Sequence, residues 1–388
     1  MTGPVLIVAG ESSGERYGAD LVREFRKRRP GTAFFGTGGP RMAAEGVEIL
    51  FPMEDLAVMG VFEVLSQVLR IRRIFRRLVR EAVSRRPAAA VLIDSPDFNL
   101  RLAKKLKKAG IPVLYYVSPT VWAWRRGRLK AVRRFVSRMM LIFPFEEEIY
   151  RRAGIPASYI GHPLLERVRA GFGRAELFAK YGLDPAKKLV VLLPGSRRGE
   201  LRYHAPVLAE TIARLGTGAD LQFALVLAES LGRGDLERAW PGPLEGLTIL
   251  EKDAYEAMAA ADVVLSSCGT ATLEAALLGT PIIAFYRISP LTYGAGRRFI
   301  RISQYSIVNI LAGRPVVPEL IQGEFTPGNL AAQARRVLAS EDVRQKMRAA
   351  FLEVRKNLGE RRASENAARE LEKLLAPDGP AAARGLSA

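Results

Sequence analysis

Short apolar runs alternate with segments of helical periodicity along most of this chain. Each run is about one strand long, and the stretch between two runs is long enough for a helix. Strands that alternate with helices build βαβ units, whose strands pair in parallel. The sequence therefore predicts an α/β fold with parallel sheets. The predicted strands are residues 5–9, 89–93, 113–117, 138–143, 189–193, 223–227, 247–250, 263–266 and 281–286.

The alternation pauses between residues 154 and 173 and then restarts, so the chain carries two successive α/β halves. A chain of 388 residues is long enough to bury two ordinary cores. We expect two Rossmann-like parallel-sheet domains that face each other across a cleft, over residues 1–165 and 166–340. A helical C-terminal tail follows over residues 341–388.

Local patterns add further elements to this outline. Helical periodicity places helices over residues 17–28 and 100–109, and the glycines of residues 36–39 predict a turn. The turn after the first strand reads GESSG, which lacks the G-x-G-x-x-G spacing of dinucleotide-binding folds. A dehydrogenase is therefore disfavoured.

The chain has a formal net charge of +19, from 59 lysines and arginines against 40 aspartates and glutamates. Such an excess predicts an anionic partner, which is a nucleic acid, an anionic membrane or a phosphorylated substrate. A single cysteine excludes a disulfide within the chain. Because the chain also has only two histidines, a zinc site is disfavoured. No apolar run approaches the roughly 20 residues of a membrane span, and the N-terminus lacks a signal-peptide pattern. We expect a soluble or peripheral protein.

Two carboxylates, Asp94 and Asp97, follow the predicted buried strand 89–93. Parallel sheets bind ligands at the carboxyl ends of their strands, and Pro96 ends the strand there. A carboxylate at this edge is a candidate general base for a hydroxyl group. The structural alternative is N-capping, because Asp97 or Asn99 would stand just before the predicted helix 100–109. From the residues alone, both interpretations stay open.

Glu11 follows the first predicted strand, so we expect it at the same edge of the sheet. Its structural alternative is an acidic residue that stabilises a helix N-terminus. We interpret His162, where the two halves join, as structural. Cys268 is interpreted as a small residue in a tight turn, because no histidine lies near it in sequence to activate its thiol.

The loop after the predicted strand 189–193 suits a phosphate group. Ser196 and Arg197 follow Gly195 there and offer a backbone N–H group and a guanidinium group to an anion. The structural alternative is a simple tight turn with exposed arginines. The pattern therefore indicates a phosphate contact without establishing one.

The segment after the predicted strand 263–266 is a stronger anion site. Gly269, Thr270 and Thr272 open a helix there, whose unpaired N–H groups and dipole favour a diphosphate. Glu274 lies about one turn into this helix. It is placed to accept hydrogen bonds from ribose hydroxyl groups, which together with the diphosphate would make a nucleotide site.

Two stretches combine apolar and basic residues. Residues 58–69 are mainly apolar, and residues 70–86 have the pattern of an amphipathic helix with an arginine face. The predicted apolar positions are Ile71, Phe75, Leu78 and Ala82, and the predicted basic positions are Arg70, Arg73, Arg77 and Arg80. Residues 122–138 carry seven basic residues, no acidic residue and two tryptophans. Both stretches suit either a membrane interface or stacking on nucleic-acid bases.

These features leave three classes of function. One is a nucleotide-sugar-dependent transferase that acts on a lipid or another anionic acceptor. The second is a nucleic-acid-binding protein, although no binding module is recognisable in the sequence. The third is an epimerase on the same two-domain scaffold, which would share the diphosphate site of the second half.

Seven motifs occur in order over nearly the whole chain: AGESSGE, DSPDFN, SPTVWAWR, GHPL, LLPGSR, SSCGTATLEA and NILAGRPVVPELIQ. Together they resemble the motifs of the lipid-A-disaccharide synthases. The resemblance implies an inverting glycosyltransferase of the GT-B fold that uses no cofactor and no metal ion. Its substrates would be UDP-2,3-diacylglucosamine and 2,3-diacylglucosamine 1-phosphate (lipid X). Its products would be the β-1,6-linked lipid A disaccharide 1-phosphate and UDP.

The resemblance also implies roles for single residues. Asp97 would be the base for the 6-hydroxyl group of the acceptor, and Glu11 would act at the same cleft. In the second half, Arg197 would contact the diphosphate, Glu274 the ribose, and Asn309 would lie at the donor site. One departure is visible, because Glu15 stands where the family usually has aspartate.

The same resemblance implies a setting for the enzyme. We expect it in the cytoplasm, peripherally associated with the anionic cytoplasmic face of the inner membrane, with no nucleic-acid partner. The C-terminal helices would cross back to the N-terminal domain or to a partner subunit, which makes a homodimer an expectation as well.

Overall fold

The structure is a computed structural model that describes residues 3–56, 64–123, 127–216, 220–290, 293–294, 303–359 and 362–376. The chain forms two compact units. The first unit comprises Met1–Glu166 and Glu360–Ala388, and the second comprises Arg167–Gly359. The end of the chain therefore returns to the unit in which the chain begins.

The first unit is built on a seven-stranded sheet in which every pair of neighbours is parallel. Its strands are β1 (Val5–Ala9), β2 (Phe34–Gly38), β3 (Val47–Pro52), β4 (Ala89–Ile93), β5 (Val113–Tyr116), β6 (Arg138–Leu141) and β7 (Ala157–Tyr159). They lie in the order β3-β2-β1-β4-β5-β6-β7. Strand β1 is therefore flanked by β2 and β4, and the carboxyl ends of β1, β4 and β5 are neighbours.

Helices cover both faces of this sheet. They are α1 (Ser12–Arg28), α2 (Pro40–Ala44), α3 (Val64–Arg85), α4 (Pro96–Lys108), α5 (Arg128–Phe135), α6 (Glu146–Arg152), α7 (Leu164–Arg167) at the boundary of the units, and, at the end of the chain, Ala363–Leu374. On β1, Val5 and Ile7 belong to the core beneath α1, while Leu6 and Val8 belong to the core beneath α3 and α4. Burial on both faces explains why the strand is apolar at every position.

The C-terminal helix Ala363–Leu374 packs against α1 in the first unit. Its residues Ala367 and Leu371 are fully buried in the core that α1 covers. Ion pairs border this contact, including Arg29 to Glu372 at 3.2 Å. Ser364 also donates its backbone N–H to the Glu166 carboxylate at 3.0 Å. These contacts hold the end of the chain on the first unit.

The second unit is built on a six-stranded parallel sheet with the order β10-β9-β8-β11-β12-β13. Its strands are β8 (Lys188–Leu193), β9 (Leu221–Val226), β10 (Leu247–Leu250), β11 (Val263–Ser267), β12 (Ile282–Tyr286) and β13 (Glu319–Ile321). Its helices are α8 (Arg174–Tyr181), α9 (Arg198–Leu215), α10 (Arg233–Ala239), α11 (Ala254–Ala260), α12 (Thr270–Leu277), α13 (Ile307–Ala312), α14 (Pro327–Ala339) and α15 (Glu341–Leu358). The C-terminal helix of the first unit is α16 in this numbering.

The predicted α/β fold with two parallel sheets is confirmed, and so are the helices at the end of the chain. Helix α15 belongs to the second unit and α16 to the first. The arrangement of the two domains across a cleft stays a prediction. Four strands, β2, β3, β7 and β13, were not predicted. Strands β7 and β13 have only three residues each, and β2 and β3 lack the uninterrupted apolar runs of the central strands.

The turn predicted over residues 36–39 is wrong. Gly36, Thr37 and Gly38 complete strand β2. Gly36 has a φ of 151°, and a Cβ there would lie 1.9 Å from the carbonyl oxygen of Ile7 on β1. Thr37 also donates its hydroxyl to the carbonyl of Ala9 at 3.0 Å. A glycine is therefore needed at position 36 because two strands approach each other closely there, and not because the chain turns.

The predicted basic amphipathic helix is present as α3. Ile74, Leu78 and Ala82 are buried on its inner face, whereas Ile71 and Phe75 are only half-buried. The exposed basic side chains are Arg70, Arg72, Arg73, Arg76, Arg77 and Arg80. Residues 58–63 of the apolar stretch lie outside the described residues, as do Trp124, Arg125 and Arg126. Within the described part of the chain, no helix is long and apolar enough to span a bilayer.

Candidate active site

The carboxyl edge of the first sheet carries a strained loop between β4 and α4. Asp94 and Ser95 both adopt left-handed backbone conformations, with φ values of 48° and 42°. Residues other than glycine avoid this region, at a cost on the order of 1–3 kcal/mol each. Such a conformation persists only where the surrounding structure holds it in place.

Side chains and a close approach hold this loop. The Tyr115 hydroxyl donates to the Asp94 carbonyl at 2.6 Å. The side-chain amide of Asn99 donates to the same carbonyl at 2.9 Å and to the last carbonyl of β4 at 3.0 Å. A Cβ on Gly10, at the end of β1, would lie 2.6 Å from the Ser95 hydroxyl oxygen. These contacts therefore fix the backbone conformation of the DSPDFN segment.

That path changes the interpretation of the two acidic residues. Helix α4 begins at Pro96, so Ser95 is the residue at the N-cap position and the N-capping interpretation of Asp97 and Asn99 is wrong. Asn99 instead ties the helix back to the strand, and Asp94 shapes the loop through its carbonyl. Asp97 lies in the first turn of α4, where the helix dipole favours an anion. Its side chain is 69% exposed.

Arg128, which sequence reasoning did not single out, contacts this carboxylate. Its guanidinium group donates to Oδ1 of Asp97 at 2.9 Å. A second, longer contact of 3.5 Å reaches the carbonyl of Pro119. The two residues are 31 positions apart in sequence, so no local pattern could have paired them.

Glu11 and Glu15 follow β1 at the same edge. Glu11 occupies the N-cap position of α1 and is exposed, but its side chain does not cap the helix by a hydrogen bond. Glu15 is buried and accepts the backbone N–H of Arg41 at 2.8 Å. A Cβ on Gly39 would lie 2.6 Å from Oε1 of Glu15. The carboxylate that departs from the family pattern therefore holds the start of α2.

A buried acidic residue lies next to Trp122, in the segment that follows β5. Glu146 is 1% exposed and accepts the indole N–H of Trp122 at 3.2 Å and the backbone N–H of Phe143 at 3.4 Å. Burial raises its pKa to about 7. The nearby hydroxyls of Ser118 and Tyr150 are hydrogen-bonded to each other at 2.9 Å. The Glu146 side chain therefore holds Trp122, which belongs to the described part of the VWAW motif, in place.

His162 behaves as predicted for a structural residue. It is buried, and its Nδ1 accepts the backbone N–H of Leu164 at 3.2 Å. Its ring lies 5.2 Å from the ring of Phe143, centroid to centroid. Burial lowers its pKa to about 3, so it is neutral at physiological pH.

In the second unit, the carboxyl ends of β8 and β11 are adjacent because these strands pair directly. Ser196 and Arg197 follow β8, and Gly269 and Thr270 follow β11; all four are exposed. Helices α9 and α12 begin here, with Arg197 and Gly269 at their N-cap positions and no side-chain cap hydrogen bond at either. The structure thus brings the two predicted anion-binding loops to one edge of one sheet.

Glu200, which sequence reasoning did not single out, organises the first of these loops. Its carboxylate accepts the backbone N–H of Ser196 at 2.9 Å, the Arg197 guanidinium at 3.2 Å and the Tyr286 hydroxyl at 3.2 Å. The Glu200 side chain is only 11% exposed. Burial, reinforced by this carboxylate, raises the pKa of Tyr286 to about 12.

His204 holds the same loop from below. It is fully buried, its Nδ1 lies 2.6 Å from the Pro194 carbonyl, and its Nε2 accepts the backbone N–H of Arg287 at 3.0 Å. Burial lowers its pKa. These contacts are consistent with a neutral ring that donates from Nδ1. No motif in the sequence singles out this histidine, because its partners are backbone groups.

The remaining predicted donor residues differ in their surroundings. Thr272 is buried, and its hydroxyl donates to the Gly269 carbonyl at 2.7 Å, so it shapes the start of α12. Glu274 is half-buried and accepts the Tyr255 hydroxyl at 3.0 Å. Asn309 lies elsewhere, at α13.

The amide of Asn309 is buried and closes the loop that leads to β13. Its oxygen accepts the backbone N–H groups of Val316 and Val317 at 2.7 and 2.9 Å. Its nitrogen donates to the Val317 carbonyl at 3.0 Å and to the Glu319 carboxylate at 2.7 Å. All of its strong hydrogen-bonding positions are thus used within the protein, which gives Asn309 a structural role.

Cys268 also fits a structural role. Its backbone N–H donates to the Phe285 carbonyl at 2.8 Å, and burial raises the pKa of its thiol. A thiol of this kind is a poor nucleophile. Among the described residues, no group of three or more His, Cys, Asp or Glu side chains is arranged to hold a metal ion.

Comparison with known proteins connects these features. The family model "Lipid-A-disaccharide synthetase" matches residues 5–373. A lipid-A-disaccharide synthase of Myxococcus xanthus is 44% identical over 97% of this chain and 99% of its own length. One of Geobacter sulfurreducens is 45% identical over 94% of this chain and 95% of its own length.

Among solved structures, a UDP-GlcNAc 2-epimerase from Neisseria meningitidis bound to UDP-GlcNAc matches 96% of this chain and 99% of its own, with a TM-score of 0.66. At 13% identity, this likeness shows the fold alone. The two relatives are far closer in sequence and cover almost the whole chain. The chain therefore belongs to the lipid-A-disaccharide synthetase family.

Proposed function

We propose that this protein is a lipid-A-disaccharide synthase, an inverting glycosyltransferase of the GT-B fold. It transfers 2,3-diacylglucosamine from UDP-2,3-diacylglucosamine to the 6-hydroxyl group of lipid X. The observation that carries this proposal is the family match over residues 5–373, which includes every candidate site residue. The exposed Asp97 at the edge of the first sheet and the anion-binding loops of the second supply the chemistry that such a transfer needs.

The reaction is a single displacement at the anomeric carbon of the donor sugar. The acceptor oxygen forms the new bond to this carbon while the bond to the β-phosphate oxygen of UDP breaks. Asp97 accepts the proton of the attacking hydroxyl group, which makes it the general base. Glu11, exposed at the same edge of the same sheet, assists in placing the acceptor.

The departing UDP carries the negative charge that the reaction releases. Exposed Ser196, Arg197, Gly269 and Thr270 bind its diphosphate with a guanidinium group and with the N-terminal ends of two helices. In the present structure, the Ser196 N–H and the Arg197 guanidinium contact Glu200. Donor binding then exchanges this carboxylate for a phosphate group as their partner.

Ribose recognition falls to Glu274, whose half-buried carboxylate lies about one turn into α12. Thr272 and Asn309 contribute indirectly, through the start of α12 and the loop before β13. For Asn309 this is a narrower role than the sequence suggested, because its amide is fully occupied by neighbouring backbone and by Glu319.

The lipid substrates place the enzyme at a membrane surface. Helix α3 exposes a row of arginines beside two exposed apolar side chains, Leu69 and Val83. None of Arg72, Arg73 and Arg80 is paired with a described acidic side chain. Such a face is suited to anionic headgroups at the cytoplasmic side of the inner membrane. A homodimer is a further proposal, and no nucleic-acid partner is expected.

The test is a reaction of the purified protein with UDP-2,3-diacylglucosamine and lipid X in detergent micelles. Mass spectrometry of the lipid extract should show the disaccharide 1-phosphate, with UDP released in equal amount. Reactions that omit either substrate are the controls. Interconversion of the UDP-sugar without an acceptor would instead favour an epimerase, and the absence of both products would refute the proposal.

A further inference from the structure

We infer that Arg128 is a positioning residue that sets the orientation of the Asp97 carboxylate for the transfer reaction. This inference rests on the proposed function and deepens it. Its basis is the direct contact of 2.9 Å between the guanidinium group and Oδ1 of Asp97. A guanidinium group that is itself held in place restricts the rotamers of the carboxylate it contacts, whereas a hydrated carboxylate rotates between rotamers.

The two partners differ sharply in exposure. The Arg128 side chain is 9% exposed, while that of Asp97 is 69% exposed. Most surface ion pairs join two mobile side chains and contribute little. Here one partner is almost completely packed in the protein, so it serves as a fixed support for the side chain that faces solvent.

The support itself is held by packing. Arg128 is the first residue of α5, and α5 packs against α4, the helix that carries Asp97. Val132 of α5 and Leu102 of α4 are both fully buried and lie in the same hydrophobic cluster. The distance between the two side chains is thus set by a helix pair and not by a loose surface contact.

The backbone on the other side of the pair is equally constrained. Asp97 follows two left-handed residues, Asp94 and Ser95, which Tyr115 and Asn99 hold in place. The strained loop determines where α4 begins, and Arg128 determines where the carboxylate of Asp97 points. A general base works only within hydrogen-bonding reach of the proton it removes, so both constraints serve the same end.

Arg128 differs in this respect from Arg133 and Arg134, two other arginines of α5. Arg133 and Arg134 are exposed on α5 and remain candidates for contact with anionic lipid. The Arg128 guanidinium is directed toward Asp97 and Pro119 instead. We therefore assign it to the transfer reaction and not to the membrane-facing surface.

A double-mutant cycle tests the inference. Arg128→Gln, Asp97→Asn and the double variant are compared with the wild type for kcat and for both KM values in the micelle assay. We expect Arg128→Gln to lower kcat by about 10- to 100-fold with both KM values within about twofold of the wild type. In the Asp97→Asn background, the same substitution should change the residual rate by less than about twofold, because the group it positions is already gone.

Two further variants complete the design. Arg151→Gln is the matched control, since Arg151 forms an exposed ion pair with Glu148 in the same unit and should leave kcat unchanged. Arg128→Lys keeps the charge without the planar fork and should retain more activity than Arg128→Gln. It also serves in the cycle if Arg128→Gln does not fold, which circular dichroism would reveal.

If Arg128→Gln lowered kcat equally in the wild type and in Asp97→Asn, Arg128 would have a general structural role and the inference would be overturned. A raised acceptor KM with unchanged kcat would overturn it too, because Arg128 would then be a ligand of the acceptor phosphate. Wild-type rates in Arg128→Gln would have the same consequence. A wild-type enzyme that makes no disaccharide would refute the proposed function itself, whatever the variants do.

Discussion

The buried Glu146 makes the stability of the first unit depend on pH in a calculable way. Its pKa is raised from the ordinary 4.5 to about 7, mainly because burial disfavours the ionised carboxylate. Hydrogen bonds from Ser118, Phe143 and Trp122 oppose this effect. Tyr150, whose hydroxyl interacts electrostatically with Glu146, is neutral over the relevant range because burial raises its pKa as well.

The sign follows from the two states of the chain. Between pH 4.5 and pH 7, Glu146 ionises in the unfolded chain while it stays protonated in the folded protein, so the folded state loses stability as the pH rises. One pKa unit corresponds to about 1.4 kcal/mol. Glu146 therefore lowers the free energy of unfolding by about 3 kcal/mol above pH 7. Between pH 5 and pH 8, the change amounts to about 2.5 kcal/mol.

Glu146→Gln removes this titration and keeps an amide that can accept the bond from Trp122. Urea unfolding of the wild type and the variant should be followed by tryptophan fluorescence at pH 5 and pH 8. A Trp240→Phe background confines the signal to the first unit, since the other two tryptophans are Trp122 and Trp124. From pH 5 to pH 8, we expect the free energy of unfolding of the variant to rise by about 2.5 kcal/mol relative to that of the wild type.

Glu148→Gln is the matched control on the same helix. The Glu148 side chain is 42% exposed, and hydrogen bonds from Arg151 and Arg152 lower its pKa. Glu148→Gln should therefore change the pH dependence of the free energy of unfolding only slightly, and in the opposite direction. The burial argument would be refuted if the free energies of unfolding of the wild type and Glu146→Gln differed by the same amount at pH 5 and at pH 8.

Three further predictions concern the sheet, the donor site and the membrane surface. Gly36→Ala should lower the free energy of unfolding by roughly 3 kcal/mol, because the new Cβ would meet the Ile7 carbonyl. Its control in urea unfolding is Gly127→Ala, where an added Cβ meets no atom of the described residues within 4 Å. Arg197→Ala should weaken UDP binding about tenfold by calorimetry, through loss of a charge-assisted contact. Binding to phosphatidylglycerol vesicles should fall steeply between 0.05 and about 0.5 M salt in a sedimentation assay, because screening weakens the attraction of the α3 arginines.

Each of these has a result that would contradict it. Equal stability of the two alanine variants would show that β1 and β2 adjust freely around residue 36. Unchanged UDP affinity in Arg197→Ala would remove this residue from the donor site. Vesicle binding that does not respond to salt would indicate apolar insertion in place of electrostatic attraction.

The central strands could be predicted because both of their faces are buried. Val5–Ala9 and Ala89–Ile93 match the predicted runs, since an uninterrupted apolar run of this length is typical of a parallel strand. Ala157–Tyr159 and Glu319–Ile321 were missed because each has only three residues at the edge of its sheet. At Gly36, the sequence signal for a turn was outweighed by the close approach of β1.

The candidate site shows the same division. The positions of Asp97, Arg197 and Gly269 followed from the rule that loops at carboxyl ends of parallel strands bind ligands. The contact between Asp97 and Arg128, and the bond of His204 to the Pro194 carbonyl, depend on tertiary packing. Side chains that support a site in this way have no local sequence signature.

The central claim is that Asp97 is the base of a disaccharide synthase whose donor is bound independently by the second unit. The most direct measurement pairs two assays on Asp97→Asn: disaccharide formation from both substrates, and UDP affinity by calorimetry on the same preparation. We expect turnover to fall by at least about 100-fold while UDP affinity stays within about twofold of the wild type. Disaccharide formation at the wild-type rate by this variant would contradict the account.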